Sequence, residues 1–302
     1  MYVPPPDHEV VCETNSRGEA AELRFVLESL GVRSKIQQFR GGWLVLVASD
    51  NASRAVEEIA SYQREAAEQS TERPVVVPTY DGALFGVSVY AGVLMLVAVL
   101  MGWSVFGFDW WMAGQMQAGL VMGGQWWRTV TALTLHLDPG HIGSNLVFGC
   151  VFGLMAGRVL GGGVAWLVIV FSGALGNLVN AMLQSADHTS IGASTAVFSA
   201  LGVLVSHALQ PRSGPRENFL KRWSPLIGGL VIFGFTGIGG ENTDVTAHAT
   251  GLLAGLMLGW VGAALPSHCL GNRRVQQASG VAALMLVVIA WAVGLTLAGS
   301  QD

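Results

Sequence analysis

Charge is scarce in this chain: 12% of its 302 residues are Asp, Glu, Lys or Arg, about half the usual share for a soluble domain. The formal net charge is −4, so the basic face that a nucleic-acid binder needs is missing, and a purely cytosolic enzyme is a poor fit. Cysteine is scarce as well. Cys12, Cys150 and Cys269 lie far apart with no CxxC pair, which excludes a disulfide framework and a zinc knuckle and leaves them as packing residues. The first 40 residues have no apolar core of signal-peptide type, so no cleaved secretory signal is expected. There is no HExxH: His136 and His141 stand five apart with no glutamate between them, which argues against a zinc hydrolase. No metal, nucleotide or other cofactor is expected, and His136 reads as a hydrogen bonder that fixes a loop.

What is present is unevenly distributed. Of 36 charged residues, 21 fall in residues 1–81. The other 221 residues carry most of the 40 glycines and 10 tryptophans, which suit close packing of apolar helices and the membrane interface. Residues 1–72 read as a small cytosolic α/β domain. It has alternation in HEVVC, a helix over Glu19–Leu30 opened by Ser16 and Glu19 as a capping box and stopped by Gly31, strands KIQQF and WLVLV around Arg40-Gly41-Gly42, and a second helix over Ala52–Gln69. It carries no reactive constellation and reads as an appendage or interaction module. Residues 73–81, with Pro74 and Pro78, form the linker.

Beyond it the sequence offers seven apolar runs that suit helices crossing a bilayer, which takes about 20 residues. They fall near Phe85–Val105, His141–Val159, Gly163–Leu183, Ile191–Leu209, Pro225–Gly239, Val245–Ala264 and Gly280–Ala298. The expected fold is thus mostly α: a polytopic membrane helix bundle with a six-span core at 82–264, then a loop and seventh span at 265–302. Arg158, Arg212, Arg216, Lys221, Arg222, Arg273 and Arg274 all fall in loops on one side, and the other side has only Arg128. By the positive-inside rule the amino-terminal domain is cytosolic, and the inner cell membrane is the expected location.

Polar groups inside spans are costly and mark function. His141 and Asn145 lie early in the second span, Ser194 in the fourth and His248 in the sixth, three spans that run the same way from the outside. At 1.5 Å per residue, Asn145, Ser194 and His248 each lie roughly 5 Å below the outer ends of their helices. A serine needs a base to lose its proton while attacking a carbonyl, and Ser194 with His248 supplies that pair. His141, the Asn145 amide and the Ser194 N–H are available to an oxyanion. Asp244 is a full turn from His248 and reads as solvated, so a dyad is expected rather than a triad. Asn177 and Asn180 read as polar links between helices, and Trp110 and Trp111 as interfacial anchors.

At these residues the chain resembles the rhomboid family of intramembrane serine proteases. GQWWR (Gly124 to Arg128) resembles the family's Trp-Arg motif of the first external loop, HIGSN (His141 to Asn145) its HxxxN, GAST (Gly192 to Thr195) its GxSx, and AHATGLLAG (Ala247 to Gly255) its AHxxGxxxG. The resemblance implies Ser194 as nucleophile, His248 as base, and His141 and Asn145 lining the oxyanion hole. It also implies that Phe198, at a position usually Tyr, packs on the catalytic imidazole. Gly192, Gly251, Gly255, Trp127 and Arg128 are then structural: the GxxxG of Gly251 and Gly255 brings the sixth span close, and Trp127 and Arg128 shape the loop. Thr195, where the family more often has Gly, is a departure expected to narrow the site.

The implied partners are the lipid bilayer and transmembrane protein substrates with small residues at the cut. The fifth span and the loop Gly237–Thr243 would form the gate. Two other readings stand beside this one: an inactive relative that binds and escorts transmembrane helices, disfavoured because both Ser194 and His248 are retained, and a transporter, disfavoured because no inverted repeat or midplane charge is evident. Oligomeric state is not legible in the sequence.

Overall fold

The computed structural model describes residues 2–71, 78–210, 219–236 and 243–298. The chain divides into two compact units, Met1–Val75 and Val76–Asp302. Residues 72–77, most of the expected linker, and 237–242, most of the expected gating loop, lie outside the described residues.

The first unit runs β1 (His8–Thr14), α1 (Arg17–Ser29), β2 (Ser34–Phe39), β3 (Gly42–Ala48) and α2 (Ala52–Thr71). The sheet is antiparallel in the order β1-β3-β2. β3 is central, so Leu44, Val45, Leu46 and Val47 of its WLVLV run are all buried. Arg40 and Gly41 both adopt positive φ, +47° and +88°, which gives the two-residue turn a twist matching the strands it joins. Ser16 caps α1 by accepting from the Glu19 N–H, and Gly31 ends it at φ +80°. Leu23, Leu27, Val45, Val47 and Ile59 form the core between helices and sheet.

The second unit is helical. α3 (Ala83–Gly102) leads into an irregular segment with α4 (Trp110–Gly114), β4 (Met116–Gln117), α5 (Ala118–Met122) and α6 (Arg128–Thr131). Then come α7 (Pro139–Leu160), α8 (Gly162–Leu183), β5 (Thr189–Ser190), α9 (Ser194–Leu209), α10 (Phe219–Thr236), α11 (Val245–Ala263), α12 (Ser267–Leu270) and α13 (Arg273–Ala298). β4 and β5 pair antiparallel, joining the loop after α3 to the one before α9. This is the helical membrane bundle with a small amino-terminal sheet region that the sequence leads one to expect. Many large apolar side chains face outward, among them Phe85, Val147, Phe171, Met257 and Val281, as in a protein whose solvent is lipid.

Among the described residues, five helices (α3, α7, α8, α11 and α13) are long and apolar enough to cross a membrane. The fourth expected span is shorter than expected. α9 has 16 residues, about 24 Å of helix against a hydrocarbon core of about 30 Å. It starts at Ser194, because Gly192 adopts φ +122°, which is not a helical conformation. Ser194 is thus the first helical residue rather than one turn into the helix. The fifth expected span corresponds to α10, which ends at Thr236; residues 237–239 of the expected span lie outside the described residues.

The seventh span is no loose addition. The Gln276 side chain on α13 accepts from the N–H groups of Gly163 and Val164 and donates to the carbonyls of Leu160 and Leu270. One side chain thereby satisfies orphan groups at the end of α7 and the start of α8. Further along, the Trp291 indole N–H of α13 donates to Thr134 Oγ1 at 3.0 Å, and its ring centre is 5.0 Å from that of Trp110. Trp110 is therefore buried against α13 instead of serving as an interfacial anchor.

Candidate active site

The site begins with a helix contact. Small residues on α9 and α11 meet in a constant register: Gly251 lies against Thr195, Gly255 against Ser199 and Gly259 against Val203, so the helices run parallel and in backbone contact. A Cβ on Gly251 would strike the Thr195 carbonyl, and one on Gly255 the Ser199 carbonyl. Ser199 Oγ donates to the carbonyls of both Thr195 and Gly251, at 2.9 Å each, which ties the two helices at that level.

This packing sets the first turns of both helices side by side. His248, the fourth residue of α11, is 8% exposed, and its ring centre lies 4.5 Å from that of Phe198 at an interplanar angle of 36°. Phe198 is one turn after Ser194 on α9, so the imidazole is seated on the helix that begins with the serine. Ser194 is half-buried, and its N–H sits at the positive end of α9.

α7 approaches the same point. Asp138 caps it by accepting from the His141 N–H at 2.8 Å. A Cβ built on Gly192 would lie 2.7 Å from His141 Nε2 and 3.6 Å from Ser194 Oγ, so only glycine allows the imidazole this close, on space as well as on φ. His141 Nδ1 accepts from the Leu137 N–H at 3.4 Å. A neutral imidazole accepting there carries its proton on Nε2, which faces Gly192. Asn145 is buried one turn further in, with its Nδ2 donating to the His141 carbonyl at 3.1 Å; Tyr90 of α3 donates to the Asn145 carbonyl at 2.8 Å.

Residues 123–265 match the Rhomboid domain family model. Over this stretch the chain is similar to the rhomboid family. The rhomboid protease GluP of Bacillus subtilis (strain 168) is 30% identical over 144 residues, 47% of this chain and 27% of that one. Rhomboid-like protein 11, chloroplastic, of Arabidopsis thaliana is 30% identical over 152 residues, 47% and 54% of the two chains. YdcA of Bacillus subtilis (strain 168) is 28% identical over 141 residues, 47% and 69%. The match thus spans about half or less of the length of two of these three relatives.

Within the matched residues the structure adds partners to the sequence reading. His136, expected to fix a loop by hydrogen bonding, is buried, its ring centre 5.1 Å from that of His141, and its Nε2 accepts from the Ala193 N–H at 3.4 Å. Together with the Gly192 N–H donating to the Ala132 carbonyl at 2.9 Å, this fixes the two residues ahead of Ser194. Burial and then the neighbouring His141 push the pKa of His136 down to about 4, against weaker pulls from the Thr134 backbone and Asp138, so it is a neutral acceptor.

Asp244 is not solvated, as the sequence suggests. It caps α11 by accepting from the Ala247 N–H at 3.0 Å, while its other oxygen accepts from Asn180 Nδ2 at 2.8 Å and lies 2.9 Å from His188 Nε2. Burial raises its pKa, but hydrogen bonds from Ala247, His188, Ser190 and Asn180 outweigh that and hold it below the usual carboxylate range. The signal was a cap-type residue three before Ala247; its partners on α8 and the following loop are distant in sequence.

In the loop of the expected Trp-Arg motif, Arg128 is buried, with its guanidinium donating to the carbonyls of Met112 and Gln115 and to Gln125 Oε1. Trp127 is buried against Gly294 of α13. Asn177 donates to the Thr129 carbonyl, tying α8 to the same loop. Thr195 directs its Cγ2 into the junction of α8, α9 and α11, 2.9 Å from where a Cβ on Gly176 or Gly251 would lie. Its branched methyl therefore fills a helix interface. Among the described residues no group of three His, Cys, Asp or Glu side chains is placed to hold a metal ion.

Proposed function

We propose that this integral, multi-pass membrane protein is a serine endopeptidase that cuts the transmembrane segments of other membrane proteins. The observation that carries the reading is the stacking of His248 on Phe198, one turn after Ser194, with His141 and Ser194 both within 4 Å of one point above Gly192. In this reaction Ser194 Oγ attacks the scissile carbonyl while His248 takes its proton. The oxyanion accepts from the Ser194 N–H, His141 Nε2–H and the Asn145 amide. His248 then hands the proton to the leaving amine, and a water that it deprotonates splits the acyl-enzyme and restores the serine. Asp244 has its oxygens engaged by Ala247, Asn180 and His188, which favours a dyad over a triad.

The basic loops support a topology with residues 1–72 as a cytosolic domain, residues 82–264 as the protease core, and the site towards the outside of the cell membrane. Substrates would be cut in the outer part of their span, and Gly or Pro near the cut would help by releasing the helix there. The experiment is labelling with an active-site serine probe, read by peptide mass spectrometry, beside cleavage of a test substrate. Ser194→Ala loses label and cleavage with stability changed by no more than about 1 kcal/mol. His248→Ala is equally inactive, and Asn145→Ala keeps a residue of about 10⁻² to 10⁻³ of wild-type turnover. Full activity in Ser194→Ala overturns the proposal.

A further inference from the structure

α3 and α13 stand apart over α8 and leave a groove of about 1,070 Å³ that starts at their first turns and reaches Ala193 and Ala196 at the start of α9. Its floor includes Trp166 of α8, and its lips carry Phe85 of α3 and Val281 of α13, which are 75% and 61% exposed. On α3 it is lined from Gly82 to Leu94, and on α13 from Arg273 to Val287. At 1.5 Å per residue those stretches are about 18 and 21 Å long. Half of a 30 Å hydrocarbon core is about 15 Å, so the groove has the depth of one leaflet and its interfacial rim. Past Leu94 and Val287 the lining passes to Leu133, Thr134 and Ala193, off α3 and α13.

At the end where α3, α8 and α13 begin, the lining changes character. Asp81 and Arg273 face the groove there, one of each sign, and among the described residues neither makes an ion pair. An apolar channel one leaflet deep, closed by an unpaired carboxylate and an unpaired guanidinium, has the complementarity of a zwitterionic lipid.

We propose that this groove is a phospholipid site that prefers phosphatidylethanolamine, with the acyl chains along α3 and α13, the phosphate on Arg273 and the primary ammonium on Asp81. A guanidinium matches phosphate in a bidentate pair, and an ammonium donates hydrogen bonds to a carboxylate, which a choline group cannot do. Phosphatidylglycerol offers Asp81 only neutral hydroxyls, weaker donors to a carboxylate than an ammonium. The site needs no part of the proteolytic reading.

The test is native mass spectrometry of the full chain in mild detergent, titrated with phosphatidylethanolamine, phosphatidylcholine and phosphatidylglycerol of matched acyl chains. One phosphatidylethanolamine per chain should be retained most tightly. Arg273→Gln should weaken all three lipids, and Asp81→Asn should erase the preference for the ethanolamine lipid. Val281→Trp, on an exposed lip, should fill the groove and lower retention about tenfold with the melting temperature unchanged. Retention that favours phosphatidylglycerol, or that all three variants leave unchanged, overturns the proposal. So does a photo-crosslinker at position 281 that captures a transmembrane peptide and no lipid.

Discussion

The Thr195 carbonyl of α9 fills the space in which Gly251 of α11 would carry a Cβ. The distance between the helices that bear Ser194 and His248 is therefore set by the absence of one carbon atom. Gly251→Ala, and likewise Gly255→Ala against the Ser199 carbonyl, should cost about 1 to 3 kcal/mol and lower turnover well below wild type, because backbone cannot yield as a side chain can. Gly92→Ala, a helix position with nothing within 4 Å, should be neutral or stabilising by about 0.5 to 1 kcal/mol. Thermal unfolding and substrate cleavage measure both. Equal behaviour of Gly251→Ala and Gly92→Ala would contradict the packing argument.

Acid should loosen the serine loop through His136. This histidine is neutral in the fold and titrates near 6.5 when unfolded, so its stabilising contribution is complete above that value. It declines as pH falls from about 6.5 towards its folded value of about 4. Protonation also removes the Nε2 acceptor for the Ala193 N–H. Melting temperature measured across this window should fall more steeply for the wild type than for His136→Gln, which carries no titrating group. Parallel curves would show that His136 is not the origin.

Asp244→Ala should free the start of α11. Loss of an N-cap costs about 0.5 to 2 kcal/mol, and the partners Asn180 and His188 are lost as well. Asp244→Asn retains a good cap and should be the milder change. Since the carboxyl is held below its ordinary value, its contribution is present at neutral pH and lost only as pH drops through the folded value. Unfolding in urea distinguishes the two variants; equal losses would mean that the cap contributes little.

Gln276→Ala strands two N–H groups of α8 and the carbonyls of Leu160 and Leu270, and should cost about 2 kcal/mol or more, given the cost of an unsatisfied buried group. Gln276→Glu still accepts from the α8 amides but cannot donate, so it should fall between. Thermal melts of the purified protein give the order, and a neutral Gln276→Ala would show that water replaces the clasp.

Local chemistry made much of this molecule legible in advance. Ser16 with Glu19, Arg40 with Gly41, and long apolar runs between basic loops each report their structure within a few residues, because caps, turns and hydrophobic spans are short-range requirements. Ser194, His248, His141 and Asn145 stood out as polar residue types near the same ends of three apolar runs, though not at the equal depths expected of them, and the glycines 251 and 255 as a close contact. Tertiary structure decided the rest. Which carbonyl those glycines face, that Thr195 fills a helix junction, that Asp244 joins Asn180 and His188, and that Gln276 closes the ends of two helices 112 to 116 residues away all depend on partners remote in sequence. The start of α9 at Ser194 was decided the same way: the backbone at Gly192 must leave helical φ to make room for His141, and only the packed bundle brings His141 there.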